Sequence, residues 1–351
     1  MSLPVPNVQE LARTCERTGM QIPDRYVRPE AVADEVIGGA DAGAAIPVID
    51  LAKLLDPRSS REERAKLGSA CQQWGFFQVI SDTRRDLTEF FRLPLEAKEE
   101  YSQLLDGWEG YGHAFVFSEE QKLDWGDLLH LHLRPTESRD MRFWPERPPS
   151  FRNSERPKLF VRNSMERFSS ETAKVGQCLF KFLAMDMGVD PDSLLEIFRG
   201  EPQAMRANYY PPCRQADKVL GLSPHCDASG LTLVLQVNNV QGLQIRKDGH
   251  WLAVDALDGA LLANVGNTLE VLSNGRYRSI EHRAVVNQEE ERISVAVFRL
   301  TCPDATIGPL PELVKKDGGK AAYKSMACED FMKLYFSTKL DGRATVEGLR
   351  I

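Results

Sequence analysis

The sequence Pro224-His225-Cys226-Asp227 lies at the centre of the stretch that decides the fold, residues 208–298. Only one residue separates His225 from Asp227, and alternate residues of an extended strand point to the same side. The imidazole and the carboxylate are therefore aimed at one point. A second histidine, His282, occurs in Glu281-His282-Arg283, after enough chain to form several strands and return to the same place.

These three side chains form a candidate metal site. Two histidines and one carboxylate on one face of a metal, with its other positions open, are the ligands that suit non-haem Fe(II). The sequence therefore predicts that His225, Asp227 and His282 bind iron and carry the catalytic chemistry. A histidine taken alone is more often a core or surface residue than a ligand, so the prediction depends on the residues around the three.

A candidate anion site follows on the strand after His282. Arg292 and Ser294 occur two positions apart in an otherwise apolar run, so they face the same side. A buried guanidinium needs a partner, because burying an unpaired charge costs several kcal/mol. A bound dicarboxylate would supply a bidentate contact, to which Ser294 would add a hydroxyl group. The alternative partner is one of the protein's own carboxylates. Asn208 and Tyr210, in Asn208-Tyr209-Tyr210-Pro211-Pro212-Cys213, are expected within reach of the same ligand.

Composition excludes several classes of function. The 351 residues are 42% hydrophobic and 27% charged, and Lys and Arg (44) are fewer than Asp and Glu (51), which gives a net charge of −7. Without a basic run, a nucleic-acid partner is not expected. The first residues lack the pattern of a signal peptide, and no run of about 18 apolar residues predicts a membrane span. Seven scattered cysteines indicate reduced thiols in a cytoplasmic protein, which we expect to be a monomer that binds a small molecule.

The pattern of apolar and turn residues changes after Gly200. Short apolar, β-branched runs then alternate with turn residues, which is typical of a jelly roll or barrel. Lys247-Asp248-Gly249 and Ser273-Asn274-Gly275 are predicted hairpin turns. Four regions follow from the pattern: an N-terminal arm (1–45), helices and strands that pack on the core (46–200), the β core (201–305) and a C-terminal helical segment (306–351), with helices predicted near 158–187 and 329–336.

Several further motifs occur in an order that spans nearly the whole chain. Together with the motifs above, they make the sequence resemble the plant 2-oxoglutarate- and Fe(II)-dependent dioxygenases. Within that family it is most similar to the specialised-metabolism branch of SRG-type, flavonol/anthocyanidin synthase-like and strigolactone-pathway oxidoreductase-like enzymes. The further motifs are Ile46-Pro47-Val48-Ile49-Asp50, Trp74-Gly75-Phe76-Phe77, Leu93-Pro94-Leu95-Glu96-Ala97-Lys98, Gly110-Tyr111-Gly112, Lys122-Leu123-Asp124-Trp125 and Leu272-Ser273-Asn274-Gly275.

The resemblance implies a mainly β core, a double-stranded β-helix (a cupin-like jelly roll), flanked by helices. It implies Fe(II) and the cosubstrate 2-oxoglutarate, with O₂ as oxidant and ascorbate as reductant. The expected reaction hydroxylates, desaturates or demethylates a small apolar plant metabolite, hormone or xenobiotic of aromatic or terpenoid type, with succinate and CO₂ as co-products. The residues implied are His225, Asp227 and His282 for Fe(II), and Asn208, Tyr210, Arg292 and Ser294 for 2-oxoglutarate.

Aromatic side chains are the candidates for the substrate pocket. Phe298 continues the face of Arg292 at a period of two, so it is expected to form one wall. The Gly-rich segment after Gly107 could supply a lid, although each of its aromatics could equally belong to the core. The lid candidates are Tyr111, Phe115, Phe117 and Trp125. The sequence has four other histidines: His130 and His132 could face the pocket or the solvent, and His113 and His250 are expected at the surface.

Two other functions stay open from the sequence. An ascorbate-dependent oxidase of the ethylene-forming type shares the iron ligands and an Arg-x-Ser pair, and succinate release would exclude it. A catalytically inactive small-molecule-binding relative is motivated by one departure from the family pattern, a segment missing after Ile80. A second departure is Gly266-Asn267, which stands where the family commonly has Gly-Asp. Neither departure is expected to touch the iron ligands.

Overall fold

The computed structural model describes residues 5–29, 36–37, 46–80, 86–104, 107–113, 116, 118–146, 164–338 and 342–351. Its helices are α1 (Val8–Thr18), α2 (Leu51–Leu55), α3 (Ser60–Gln73), α4 (Asp86–Phe91), α5 (Leu95–Glu99), α6 (Ser164–Met187), α7 (Pro191–Ile197), α8 (Asn267–Leu272), α9 (Pro311–Lys316), α10 (Cys328–Thr338) and α11 (Ala344–Leu349). Its strands are β1 (Val36–Ile37), β2 (Val48–Ile49), β3 (Phe76–Ile80), β4 (Gly110–Gly112), β5 (Asp127–Arg134), β6 (Gln203–Tyr210), β7 (Leu222–His225), β8 (Leu231–Gln236), β9 (Leu243–Lys247), β10 (His250–Ala253), β11 (Ala260–Val265), β12 (His282–Ala284), β13 (Arg292–Arg299), β14 (Thr306–Ile307) and β15 (Met326–Ala327).

Two large sheets form the core, and their strand order confirms the jelly-roll prediction. The larger sheet has eight strands in the order β2-β3-β11-β8-β13-β6-β5-β4, and the smaller has five in the order β1-β10-β9-β12-β7. Neighbours from β3 to β4 in the larger sheet are all antiparallel. In such pairs, directly opposed residues point to the same face, so the register decides which side chains meet.

The larger sheet has one apolar face and one polar face. On β13, Ile293, Val295 and Val297 are almost completely buried, and they belong to a hydrophobic cluster that also contains Leu179 and Leu183 of α6. The alternate residues of β13 must point the other way. We call the side that packs on α6 the outer face and the opposite side the inner face.

Local residue chemistry accounts for several helix starts and turns. Asn7 caps α1 by accepting a hydrogen bond from the backbone of Glu10, and Asp50 caps α2. The turn at Lys247-Asp248-Gly249 joins β9 to β10, with positive φ at Asp248 (51°) and Gly249 (87°). The prediction for Ser273-Asn274-Gly275 is wrong. Its positive-φ residues follow α8 and end that helix, because left-handed residues terminate helices as well as they turn hairpins.

The N-terminal part of the chain is built into the same sheet as the core. Strands β2, β3, β4 and β5 all belong to the larger sheet. Asp127 of β5 also anchors α1, because its two carboxylate oxygens accept hydrogen bonds from the backbone of Val8 and Gln9, both at 2.9 Å. The four regions expected from the sequence stay a prediction. At the other end, the expected helix at 329–336 is confirmed as α10, and α11 follows it. No helix in the described ranges is long and apolar enough to cross a membrane.

Candidate metal centre

The three predicted metal ligands lie close together between the two sheets. His225 ends β7 and His282 begins β12, and the pairing of these strands places the two residues directly opposite each other. One ligand atom from each of the three residues lies within 4.8 Å of the others. Oδ1 of Asp227 is 3.5 Å from Nε2 of His225, and Oδ2 is 3.8 Å from Nε2 of His282. All three side chains are buried, so a cation held there would be shielded from bulk water.

Backbone carbonyl groups fix the orientation of both imidazoles. Nδ1 of His225 lies 2.9 Å from the carbonyl oxygen of Ser223, and Nδ1 of His282 lies 3.1 Å from that of Ile280. A carbonyl oxygen can only accept, so each Nδ1 carries the proton. The lone pair of each Nε2 is then free, and both Nε2 atoms face Asp227. This is the tautomer that a metal ligand requires.

The carboxylate of Asp227 is oriented by two side chains from the larger sheet. Oδ2 accepts hydrogen bonds from the hydroxyl group of Thr232 (2.6 Å) and the amide of Asn264 (2.8 Å). Oδ1 accepts neither of these bonds, so it is the oxygen available to a metal. Neither residue is among those predicted from the sequence. The signal that could have found them is a single polar side chain on the same side of a buried apolar strand, Thr232 on β8 and Asn264 on β11, which pair directly.

One departure from the family pattern does touch this centre. The backbone N–H of Asn267 donates to the backbone carbonyl of Asp227 at 2.7 Å. Gly266 packs so closely that a Cβ atom there would lie 2.0 Å from the backbone oxygen of Ser229. The expectation that Gly266-Asn267 lies apart from the iron ligands is therefore wrong, since it supports the backbone of one. The other departure, after Ile80, lies outside the described residues.

The pKa values at this centre favour a bound cation. Burial alone would raise the pKa of Asp227, but His282 and His225 more than offset that effect, so the net shift is downward. Burial and the neighbouring His225 lower the pKa of His282 to about 4, against the opposing effect of Asp227. At neutral pH an ionised carboxylate therefore faces an unprotonated imidazole. Metal binding requires these protonation states.

The predicted anion site lies on the same inner face. Arg292 is 2% exposed, and it forms no ion pair with any described carboxylate. Its Nε atom has no hydrogen-bond partner, and its guanidinium lies 5.4 Å from the ring of Tyr210, the residue directly opposite on β6. Ser294 stands opposite Asn208, whose amide lies 3.5 Å from the Ser294 hydroxyl group. Burial lowers the pKa of Arg292, against the opposing effect of Tyr210.

The structure corrects part of the predicted substrate pocket. Tyr111 packs edge-on against Phe90 in the core, and its hydroxyl group accepts a hydrogen bond from Asn7 at 2.6 Å. Trp125 is 1% exposed and packs against Tyr26 at a centroid distance of 5.3 Å. Both side chains are therefore core residues rather than lid residues, because each is enclosed by the N-terminal part of the chain. Phe115 and Phe117 lie outside the described residues.

Phe298 does lie on the inner face. It stands opposite Thr232 on β8 and Ala204 on β6, and it is half-buried. Thr232 donates a hydrogen bond to the carboxylate of Asp227, so the strand pairing places Phe298 near the metal centre. The expected placement of Phe298 on the face of Arg292 and Ser294 is confirmed, and its role as a substrate wall stays a prediction.

A group of rings covers the same face, and the sequence alone leaves its two histidines undecided and does not predict its other two members. His130 and His132 stand opposite Arg206 and Ala204, on the inner face. Trp108 stacks on His130 at a centroid distance of 5.9 Å, and Phe336 of α10 contacts Trp108 at 5.2 Å. Trp108 is 37% exposed, which is unusual for so large an apolar side chain. We call Trp108, His130, His132 and Phe336 the ring cluster.

The other two histidines differ from each other. His250 is exposed, as expected. His113 is half-buried, with its Nδ1 atom 3.7 Å from Oδ1 of Asp127, so the expectation that it lies at the surface is wrong. The carboxylate of Asp127 is held in the core by its hydrogen bonds to α1, and His113 is half-buried because it lies next to that carboxylate.

Comparisons with known proteins agree with this geometry. Residues 201–301 match the 2OG-Fe(II) oxygenase superfamily, and residues 46–147 match the family described as non-haem dioxygenase in morphine synthesis N-terminal. The chain is 54% identical to 2-oxoglutarate-dependent dioxygenase 11 of Oryza sativa subsp. japonica, with 100% of this chain and 97% of the relative covered. It is 43% identical to S-norcoclaurine synthase 1 of Coptis japonica, with the same 100% and 97% covered. The solved structure of JOX2 in complex with 2OG, Fe, and JA is similar at a TM-score of 0.84 and 32% identity, covering 99% of this chain and 98% of JOX2.

Proposed function

The chain belongs to the 2OG-Fe(II) oxygenase superfamily, and from that premise we propose that it hydroxylates, desaturates or demethylates a small apolar metabolite. It is a 2-oxoglutarate-dependent dioxygenase, with Fe(II) and 2-oxoglutarate as its cofactor and cosubstrate. The substrate class we propose is an aromatic or terpenoid-like plant metabolite, hormone or xenobiotic, and the co-products are succinate and CO₂.

We assign the iron to His225, Asp227 and His282. The donor set fits because two unprotonated nitrogens and one ionised oxygen converge from elements held by hydrogen bonds. Bound Fe(II) and 2-oxoglutarate supply the oxidising chemistry, in which O₂ is reduced, 2-oxoglutarate loses CO₂ and the substrate is oxidised. The protein binds and orients these groups, and the buried position of the ligands excludes bulk water.

The observation that carries the proposal is the buried Arg292 beside this centre. Its guanidinium has no carboxylate partner among the described residues, and a bound dicarboxylate would supply one. We assign the carboxylate of 2-oxoglutarate remote from the metal to Arg292 and Ser294. Tyr210 and Asn208, which stand opposite these two residues, complete the proposed cosubstrate site.

We place the substrate against Phe298 and the ring cluster. These rings occupy the inner face on the β6 and β5 side, next to the residues assigned to the metal and the cosubstrate. Apolar and aromatic walls with a few polar groups are typical of small-molecule sites. The similar structure of JOX2 was solved in complex with 2OG, Fe, and JA, which supports a small-molecule substrate for this fold.

Product stoichiometry tests this function. Protein loaded with Fe(II) under nitrogen is given 2-oxoglutarate, ascorbate and a panel of ring-bearing metabolites, and O₂ is then admitted. We expect one succinate per oxidised product. Consumption of ascorbate in place of succinate formation would instead identify the ethylene-forming type of oxidase. Full iron occupancy without any succinate would identify an inactive binding protein.

A further inference from the structure

The backbone carbonyl groups that orient the two metal-binding imidazoles are themselves held by ion pairs. Each of these carbonyls lies two residues before its histidine, Ser223 before His225 and Ile280 before His282. In both cases an arginine and a carboxylate fix the peptide unit that precedes the carbonyl. The two pairs are Arg28 with Asp124 and Arg343 with Glu270.

The pair Arg28–Asp124 holds Ser223. Oδ1 of Asp124 accepts hydrogen bonds from the backbone N–H of Ser223 at 3.0 Å and from its hydroxyl group. Arg28 donates to the same Oδ1 atom at 3.3 Å and to the hydroxyl oxygen of Ser223. The next residue is Pro224, so the peptide unit that contains the Ser223 carbonyl has no N–H of its own. The direction of that carbonyl therefore depends on how the preceding unit is held.

The pair Arg343–Glu270 holds Ser279, the residue before Ile280. Oε2 of Glu270 accepts a hydrogen bond from the backbone N–H of Ser279 at 2.6 Å, and Nη1 of Arg343 donates to the Ser279 carbonyl oxygen. Nη2 of Arg343 donates to Oε1 of Glu270 at 2.7 Å. Glu270 is 1% exposed, and the hydroxyl group of Tyr323 donates to its Oε1 atom at 2.9 Å. Both backbone polar groups of Ser279 are therefore fixed by side chains.

The two arginines come from opposite ends of the chain. Arg28 precedes β1, and Arg343 precedes α11. Gly342, next to Arg343, pairs with His225 in an isolated β-bridge. Its φ is 58°, and a Cβ atom there would lie 2.6 Å from a carboxylate oxygen, so glycine is what allows this segment to approach the histidine. Both arginines line one cavity together with the two residues that supply the carbonyls, and none of the three metal ligands lines it.

We propose that Arg28 and Arg343 are positioning residues of the metal centre, each responsible for one imidazole. This inference rests on the proposed function, because it takes His225 and His282 as iron ligands. Arg28 keeps the proton of His225 on Nδ1 by holding the carbonyl that accepts it, and Arg343 does the same for His282. The lone pair of each Nε2 atom then stays available to the metal. Segments from both ends of the chain must therefore be docked for the metal site to be complete.

A purely structural role is the rival explanation, in which the two ion pairs only attach the end segments to the core. A buried ion pair is often close to neutral for stability, however, because desolvation of the charges offsets their attraction. Arg139 offers a matched comparison, since its side chain is 12% exposed, as is that of Arg28. It pairs with Glu166 at 2.7 Å and donates to the backbone carbonyl of Leu133 at 2.8 Å. Leu133 is not a neighbour of any proposed metal ligand in the sequence.

Histidine tautomers in the metal-free protein test the inference. The full-length chain is produced with isotope-labelled histidine, and NMR at pH 7.5 identifies the protonated ring nitrogen of each imidazole. We expect His225 and His282 to carry the proton on Nδ1 in the wild type. Arg28→Gln should add a population with the proton on Nε2 at His225 alone, and Arg343→Gln should do so at His282 alone. Each variant should also weaken Co(II) binding by about tenfold, measured by titration of the visible Co(II) spectrum.

Control variants separate positioning from stability. Arg139→Gln should leave both tautomers and the Co(II) affinity unchanged, whatever it does to the free energy of unfolding. Arg343→Lys, which keeps the charge, should retain most of the Nδ1–H population at His282. If either glutamine variant fails to fold, Asp124→Asn and Glu270→Gln make the same test with side chains of unchanged shape. Wild-type tautomers and Co(II) affinity in the variants, or a response of both imidazoles to either variant, would overturn the inference. Failure of the proposed function would look different, because the wild type would then bind no Co(II), although its tautomers would still respond to the variants.

Discussion

The two faces of the larger sheet are built by the same strands, and both are deeply buried at the start of β13, yet their side chains have different roles. On the outer face of β13, Ile293, Val295 and Val297 are at most 1% exposed. On the inner face, Arg292 and Ser294 are 2% and 3% exposed. Burial therefore does not separate a stabilising face from a functional one. The difference is that Ile293, Val295 and Val297 find their apolar partners within the protein, whereas the guanidinium of Arg292 finds no carboxylate among the described residues.

That difference locates the ligands of the protein. An apolar side chain needs no specific partner, but a buried guanidinium or carboxylate does. Among the described residues, Asp227 forms no ion pair with a lysine or arginine, and Arg292 forms none with an aspartate or glutamate. Both side chains lie on the same side of the sheet. A metal cation and a dianion would satisfy both at once. The predictions below separate loss of a ligand from loss of packing.

The largest effect is expected from Asp227→Ala. Removing the single ionised ligand should lower 2-oxoglutarate-coupled turnover by a factor of about 10³ or more. Cooperative thermal unfolding should persist, because Asp227 belongs to none of the hydrophobic clusters of the described residues. Succinate formation and a calorimetric melt measure the two quantities. Asp217→Ala, at an exposed carboxylate, is the control and should match the wild type. Substantial turnover by the Asp227 variant would remove this residue from the metal centre.

The neighbours Arg292 and Ile293 offer the most direct contrast between the faces. Arg292→Gln should raise the KM for 2-oxoglutarate by roughly 30-fold or more, since truncating one partner of a buried charge pair costs about 2–5 kcal/mol. Ile293→Ala should instead lower the free energy of unfolding by about 2–5 kcal/mol and leave that KM unchanged. Steady-state kinetics and urea unfolding measure both quantities on both variants. If the two variants behaved alike, the distinction between the faces would be lost.

A smaller effect is expected from the residues that orient Asp227. Asn264→Ala or Thr232→Val should weaken Co(II) binding by about 10- to 100-fold, because each removes a hydrogen bond to Oδ2. Titration of the visible Co(II) spectrum gives the affinity and also reports a change in ligand geometry. Thr306→Val, at an exposed threonine, is the matched control. Unchanged affinity and spectrum in both variants would show that the carboxylate orients itself.

The smallest effect concerns pH and the edge of the ring cluster. Burial raises the pKa of Glu109 to about 7, from an ordinary value of 4.5, and its carboxylate accepts a hydrogen bond from the backbone of His132. The folded state holds this proton more tightly than the unfolded state, so its contribution to stability falls as pH rises from about 4.5 to 7. The free energy of unfolding of Glu109→Gln minus that of the wild type should therefore be about 1–2 kcal/mol larger at pH 8 than at pH 5. Chemical denaturation at the two pH values measures this difference, and a difference independent of pH would contradict it.

The sequence was sufficient to predict the metal ligands and the candidate anion site as a group. His225 and Asp227 share a side through their spacing, and Arg292 and Ser294 do so on β13. Such relations are local, and they hold whatever the strand pairs with. The jelly roll could be predicted for the same reason, from the regular spacing of short apolar runs and turn residues.

The rest depended on contacts between distant parts of the chain. Thr232 and Asn264 are single polar residues on apolar strands, and nothing local names Asp227 as their partner. Tyr111 and Trp125 were misassigned because only the docking of α1 and its neighbours encloses them. The face taken by His130 depends on the pairing of β5 with β6, and Phe336 reaches Trp108 from the far end of the chain.

The central claim is that the inner face holds one metal ion and one dicarboxylate at defined residues. The most direct measurement is a crystal structure of the protein with Fe(II) and 2-oxoglutarate, grown under nitrogen, with anomalous diffraction at the iron edge. The account predicts a single anomalous peak within bonding distance of Nε2 of His225, Oδ1 of Asp227 and Nε2 of His282, and a carboxylate of 2-oxoglutarate on the guanidinium of Arg292. An anomalous peak at other residues, or a 2-oxoglutarate molecule that does not contact Arg292, would contradict it.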